Sequence, residues 1–171
     1  MLGGKIFERD DLVQFGKDIT AGCRHTYKST ETGIGPESFT WKPKAPVDQQ
    51  AFFMANGWWS NSREYNLRPE VIESYYYGWK LTGDITYREW AWEAFRAINT
   101  ICRTPIGYAP LNDVRNPSAG FGEFQESFWF AETLKYFWLI FGGSDDTNVG
   151  VANGPQTWVF NTEAHPVKTV R

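Results

Sequence analysis

The chain has 171 residues, room for one domain or for a piece of a larger one. Hydrophobic residues make up 42% and charged residues 22%, a globular balance that excludes a disordered tail and a low-complexity chain. The net charge is -3 and no basic run exceeds a residue or two, which speaks against a nucleic-acid partner, while aromatic residues at 18% suit a neutral, ring-shaped, hydroxyl-rich ligand such as a sugar.

No stretch nears the roughly 18 apolar residues of a membrane span. Met1-Leu2-Gly3-Gly4 is followed by Lys5, Glu8, Arg9, Asp10 and Asp11, so no signal peptide is expected here and no membrane contact from this segment. Asp10 to about Tyr27 predicts a helix, because Leu12, Phe15, Ile19 and Cys23 recur at steps of three and four with charge between them. Ser29 to Ser62 holds Gly33, Gly35, Pro36, Pro43 and Pro46 and reads as a long irregular stretch, functional or a linker.

A second helix is expected from Pro69, a residue favoured at the first helical position, to about Leu81, with a glycine stop at Thr82-Gly83-Asp84. A third, from about Thr86 to Cys102, carries Trp90, Ala94, Ala97, Ile98 and Ile101; the short spacer makes the two an antiparallel hairpin. Gly107 to Arg115 predicts a short extended excursion. A fourth helix is expected over about Phe124 to Phe141, apolar nearly all round and so buried on most sides. Gly142-Gly143-Ser144-Asp145-Asp146 is a turn, and Thr157-Trp158-Val159-Phe160 alternates like a short strand. The class is mainly α, and whether the aromatic-rich helix faces meet one another or a further neighbour is left open by their periodicity.

Glu70 and Glu73 lie three apart on one helix face, and Glu70 sits in the first turn, where the helix dipole favours an ionised carboxylate. That suits a general base, although acids in a first turn are also routine helix grammar. Phe128 and Glu132 share a face of the most apolar helix; a carboxylate there is costly unless it is paired, bound to a cation or turned to a wet rim. Glu37, in the Gly33-Ile34-Gly35-Pro36-Glu37 loop, is a further candidate acid or a plain surface residue. Thr162 and Glu163 offer hard oxygen ligands of the kind Ca²⁺ prefers, without an EF-hand pattern. His25 and His165 are too isolated for a zinc site, and neither a phosphate-binding glycine loop nor a G-x-S-x-G elbow occurs.

In order along the chain stand Leu67-Arg68-Pro69-Glu70-x-x-Glu73-Ser74, then Gln125-Glu126-Ser127-Phe128-x-Phe130-Ala131-Glu132-Thr133-Leu134-Lys135-Tyr136, then Phe160-Asn161-Thr162-Glu163-Ala164-His165-Pro166. This ordered set resembles class I α-1,2-mannosidases, the inverting, calcium-dependent enzymes of glycoside hydrolase family 47. Thr82-Gly83-Asp84, Tyr87-Arg88-x-Trp90 and Cys102-Arg103-Thr104 resemble the same family, and Gly33-Ile34-Gly35-Pro36-Glu37-Ser38-Phe39 resembles its fungal branch. The resemblance implies an incomplete (α/α)7 barrel with short β segments: residues 1–171 would be the C-terminal part of one catalytic domain roughly three times as long, about its last two hairpins.

Position by position, the resemblance implies Glu70 as catalytic base, Arg68 shaping the sugar site, and Phe128 as the aromatic under a mannose ring. It implies Thr162 as the Ca²⁺ ligand, through its carbonyl and hydroxyl oxygens. Glu37, Glu73, Glu132 and Glu163 would hold sugar hydroxyls or calcium-bound waters. The substrate class implied is the high-mannose N-glycan, and the compartment the secretory pathway (ER/Golgi) or the cell exterior. The family's general acid and a further essential Asp belong to an N-terminal part that these residues do not match, so the 171 residues assayed alone are expected to show no turnover. A cysteine pairing with Cys23 would sit just before Met1, in a strand-like segment that Met1-Leu2-Gly3-Gly4 continues, which argues against a Cys23–Cys102 disulfide. A mannose-binding, lectin-like module and an inactive truncated copy are the competing readings.

Overall fold

The computed structural model describes residues 1–142 and 158–168. The turn expected over Gly142–Asp146 and the strand start at Thr157 therefore lie, beyond Gly142, outside the described residues. The chain divides into two compact units: Met1–Gly22, Arg68–Phe95 and Ser127–Arg171 form the first, and Cys23–Leu67 with Arg96–Glu126 the second. Among the described residues helices predominate and the strands are short, as the mainly-α reading requires. Among the described residues, no helix is long and apolar enough to cross a membrane.

The first unit opens with α1 (Leu2–Ile6), a helix where a strand-like segment was expected. Two glycines make this helical packing feasible. A Cβ on Gly4 would lie 2.7 Å from the Val13 nitrogen, and one on Gly16 2.5 Å from that of Met1. Next comes α2 (Asp10–Lys28), with Asp10 and Asp11 in its first turn, where the helix dipole favours negative charge. Its stripe of Leu12, Phe15 and Ile19 faces outward, at 39%, 62% and 52% exposure, whereas Val13 and Thr20 are buried.

The helix expected from Pro69 is α4 (Glu70–Thr82), with Pro69 just outside it and Gly83 closing it at φ 71, its N–H on the Trp79 carbonyl at 2.8 Å. The Asp84 carboxylate accepts the Thr86 N–H at 3.0 Å and so starts α5 (Thr86–Ile101). The two helices meet as the expected hairpin. Trp90 touches Tyr75 edge-on at 5.7 Å, and Gly78 lets the Tyr87 ring approach so closely that a Cβ would stand 2.7 Å from it.

The fourth helix departs from expectation. Phe124–Glu126 are not helical; the run begins at Phe128, passes through a π-helical segment, Trp129–Leu134, and becomes α6 (Lys135–Phe141). Its core side chains are Trp129, Thr133, Tyr136, Phe137, Leu139 and Ile140, but Phe130 and Trp138 are 61% and 57% exposed, so it is not buried on most sides. Finally β5 (Trp158–Phe160) pairs antiparallel with β6 (Pro166–Lys168) around the turn 161–165.

In the second unit, the stretch expected to be irregular contains short elements: β1 (Ser38–Thr40), a 3₁₀ turn at Val47–Gln49, α3 (Gln50–Asn56) and β2 (Trp59–Ser62), which pairs with β1. Elements of three to seven residues show too little periodicity to read, and they are held by rings rather than by a stripe: Trp58 meets Phe52 at 4.8 Å and Phe39 at 5.7 Å. The excursion expected after Gly107 is the second half of a hairpin, β3 (Arg103–Thr104) with β4 (Gly107–Tyr108), followed by Leu111 bridging to Tyr65 and Phe121. Cys23 and Cys102 are both free thiols. Cys102 is fully buried, and burial pushes its thiol up to about 12.

Candidate active site

Seven of the eight residues singled out in the sequence belong to the first unit: Arg68, Glu70, Glu73, Phe128, Glu132, Thr162 and Glu163. Three local structures supply them: the entry to α4, the π-helical run before α6, and the turn between β5 and β6. Glu37 belongs to the second unit, where its N–H donates to the Glu64 carbonyl at 2.7 Å and its carboxylate accepts the Asn66 N–H at 3.4 Å.

The entry to α4 is set by an unusual backbone. Leu67, fully buried, sits at φ 62, a region that costs a side chain with a γ-branch. Arg68 follows, half exposed, with its guanidinium 5.3 Å from the centre of the Phe128 ring. That is a cation–π approach, strongest where water is excluded. Arg68 Nη1 also lies 3.9 Å from Glu70 Oε1, at the outer limit of an ion pair. Glu70 begins the helix with its side chain 62% exposed, so water reaches it freely.

One turn on, Glu73 is half-buried and accepts a hydrogen bond from the Tyr136 hydroxyl at 3.1 Å. Burial pushes its carboxyl above the usual range; the Tyr136 hydrogen bond opposes the shift, and the charges of Glu70 and Glu132 add to it. Glu132 is raised for the same reasons: burial first, then Glu70 and Glu163, with Lys135 and His165 pulling the other way. The charge of Glu70 thus acts on both Glu73 and Glu132, and that of Glu163 on Glu132. An arrangement of that kind gains when a cation or a set of hydroxyl donors enters it.

Glu132 stands inside the π-helical segment, a rare geometry that occurs mostly at functional sites. The turn carrying Thr162 and Glu163 is built by Asn161, whose side-chain oxygen accepts the N–H groups of Glu163 and His165 at 3.0 and 2.9 Å. Ala164, buried and at φ 55, closes it. Phe160, packed on Tyr76 and Tyr136 at 6.3 and 5.8 Å, fixes the turn's entrance to the helices. Among the described residues, no group of three or more His, Cys, Asp or Glu side chains could hold a metal ion directly.

Sequence reasoning missed Tyr136, Lys135 and Asn161. Asn161 carried a signal, since an Asn heading a polar turn commonly bonds the backbone two residues on. The pairing of Tyr136 with Glu73 had none, because periodicity does not say which helices face each other.

The chain matches Glycosyl hydrolase family 47 over residues 1–169 and belongs to that family. A mannosyl-oligosaccharide alpha-1,2-mannosidase 1B from Emericella nidulans is 53% identical over 98% of this chain and 34% of its own length. One of the same name from Aspergillus oryzae is 50% identical over 98% of this chain and 33% of its own length. Among solved structures, an alpha-1,2-mannosidase from Trichoderma reesei superposes with a TM-score of 0.92 at 40% identity, covering 98% of this chain and 36% of that one. The fold is that of this enzyme, an α/α barrel, over the part the two share, as the family resemblance implied. The chain spans about a third of the length of the curated relatives it matches.

Proposed function

We propose that the protein carrying this chain is a calcium-dependent, inverting exo-α-1,2-mannosidase that trims α-1,2-linked mannose from high-mannose N-glycans. The observation behind this reading is the convergence in one unit of the Arg68–Phe128 contact with the coupled carboxylates Glu70, Glu73, Glu132 and Glu163. Glu70, exposed at the start of α4, acts as the base: it takes a proton from a water attacking the anomeric carbon on the face opposite the leaving oxygen, which receives its proton from a general acid that these 171 residues do not supply. Phe128 offers its ring to the face of the sugar, with Arg68 bracing it. Glu73 and Glu132, whose protonation burial favours, hold sugar hydroxyls, and Glu163 serves the same purpose.

The donor chemistry suits calcium. Thr162 offers a carbonyl and a hydroxyl oxygen, both hard ligands, on an exposed turn, and nearby acids repel one another when ionised. Thr162 would hold the ion, with Glu132 and Glu163 holding its waters. Bound calcium would supply fixed positive charge against which sugar hydroxyls and waters are oriented. This reading implies the secretory pathway or the cell exterior, where N-glycans are trimmed. The test is hydrolysis of an α-1,2-linked mannobiose by the whole protein, followed by proton NMR from the first turnover. The β-anomer of mannose is expected first; the α-anomer first, or no release at all, would contradict the reading.

A further inference from the structure

The turn 161–165 is exposed at Asn161, Thr162, Glu163 and His165, and it contains a non-glycine residue, Ala164, in the left-handed region. A residue held in that region persists where the surrounding structure restrains it. Four bonds within the turn are in place. Asn161 accepts from Glu163 and His165 through its side chain, its N–H donates to the His165 carbonyl at 3.1 Å, and the Ala164 N–H donates to the Asn161 carbonyl at 3.0 Å. The fifth restraint comes from the helix: Lys135 Nζ donates to the Ala164 carbonyl at 2.9 Å.

Lys135 is the first residue of α6 and directly follows the π-helical segment that carries Glu132. It spends its hydrogen bond on a backbone carbonyl of the turn rather than on a carboxylate, and its charge acts on Glu132 from that position. One side chain therefore ties the segment bearing Glu132 to the segment bearing Thr162 and Glu163.

We propose that Lys135 and Asn161 are positioning residues: together they hold the Thr162–Glu163 turn in register with Glu132, and so set the affinity of the cation site. The second half rests on the calcium reading above; the first stands on hydrogen bonds that need no ion. Ordering the turn before an ion arrives means that its ordering entropy is not charged against binding.

The experiment compares wild type with Lys135→Met, Lys135→Arg, Asn161→Ala and Asn161→Asp. Arg keeps the charge and a donor, and Asp keeps the acceptor. Amide hydrogen exchange is measured without calcium, and Ca²⁺ is then titrated calorimetrically, with the melting temperature of each variant recorded. Lys135→Met and Asn161→Ala should speed exchange at the Glu163 and His165 amides about tenfold and weaken calcium binding by about 10–100-fold, as losing a ligand's support does. Lys135→Arg and Asn161→Asp should restore most of both.

Exchange and affinity unchanged in Lys135→Met would overturn the proposal. If wild type takes up no calcium while exchange still responds, the cofactor reading fails and the positioning role stands. If Lys135→Met does not fold, Asn161→Ala against Asn161→Asp decides, and equal exchange in that pair would overturn the proposal.

Discussion

Glu73 joins two properties that pull against each other: it is half-buried, and it faces two further carboxylates. Its carboxyl is raised in the folded chain, so the folded state binds its proton more tightly than the unfolded state does. The stability this contributes is fully present below the ordinary carboxylate range and is lost as pH rises through the raised folded value. Glu132 acts in the same direction. Replacing Glu73 with Gln removes the titration while leaving an oxygen for the Tyr136 hydroxyl. The variant should melt a few degrees above wild type at neutral pH, with the difference closing as pH falls below about 4. Thermal melts across that range check it; a constant difference would show that the charge is not the cause. The same acids predict a metal effect. Thr162→Val, which keeps the carbonyl and the shape, should weaken calcium binding, and Glu132→Gln should weaken it by about 10–100-fold without touching the ion. Calorimetric titration decides, and equal affinities in all three proteins would leave the turn a plain surface feature.

At the scale of elements, α4 was the most legible part of the sequence, because its start and stop are both written in local chemistry: Pro69 before, Gly83 after, and Asp84 ready to begin α5. The run from Phe128 to Phe141 was less so. Its composition is helical throughout, yet the Trp129–Leu134 segment winds in the wider π form, a choice made by what it packs against and invisible to periodicity. Helix contacts carry one sharp prediction. Gly78→Ala gains about 1 kcal/mol of helix propensity but places a methyl group 2.7 Å from the buried Tyr87 ring. Overpacking of this kind costs about 1–3 kcal/mol, so a net loss of stability is expected. Urea unfolding measures it, and a stabilised variant would show that Tyr87 shifts freely. The stretch from Ser29 to Ser62 hid its elements because α3 is only seven residues long and the pairing of β1 with β2 is non-local.

For the molecule as a whole, the family was legible because three separated motifs stand in one order, and the family match over residues 1–169 bears it out. The placement of their side chains was not legible: spacing put Glu70 with Glu73 and Phe128 with Glu132, but only the fold brings Phe128 to Arg68 and Tyr136 to Glu73. The outward stripe of Leu12, Phe15 and Ile19 shows the same limit, since a helical period names a face without naming what it meets. The proposed role of Glu70 is to activate water within this group of side chains. It is tested most directly by steady-state kinetics of the whole protein and its Glu70→Gln variant on an α-1,2-linked mannobiose, at saturating calcium. Because water activation belongs to the transition state, kcat should fall by about 10²–10⁴-fold with KM little changed. An unchanged kcat with a raised KM would contradict the account and make Glu70 a residue that only binds mannose.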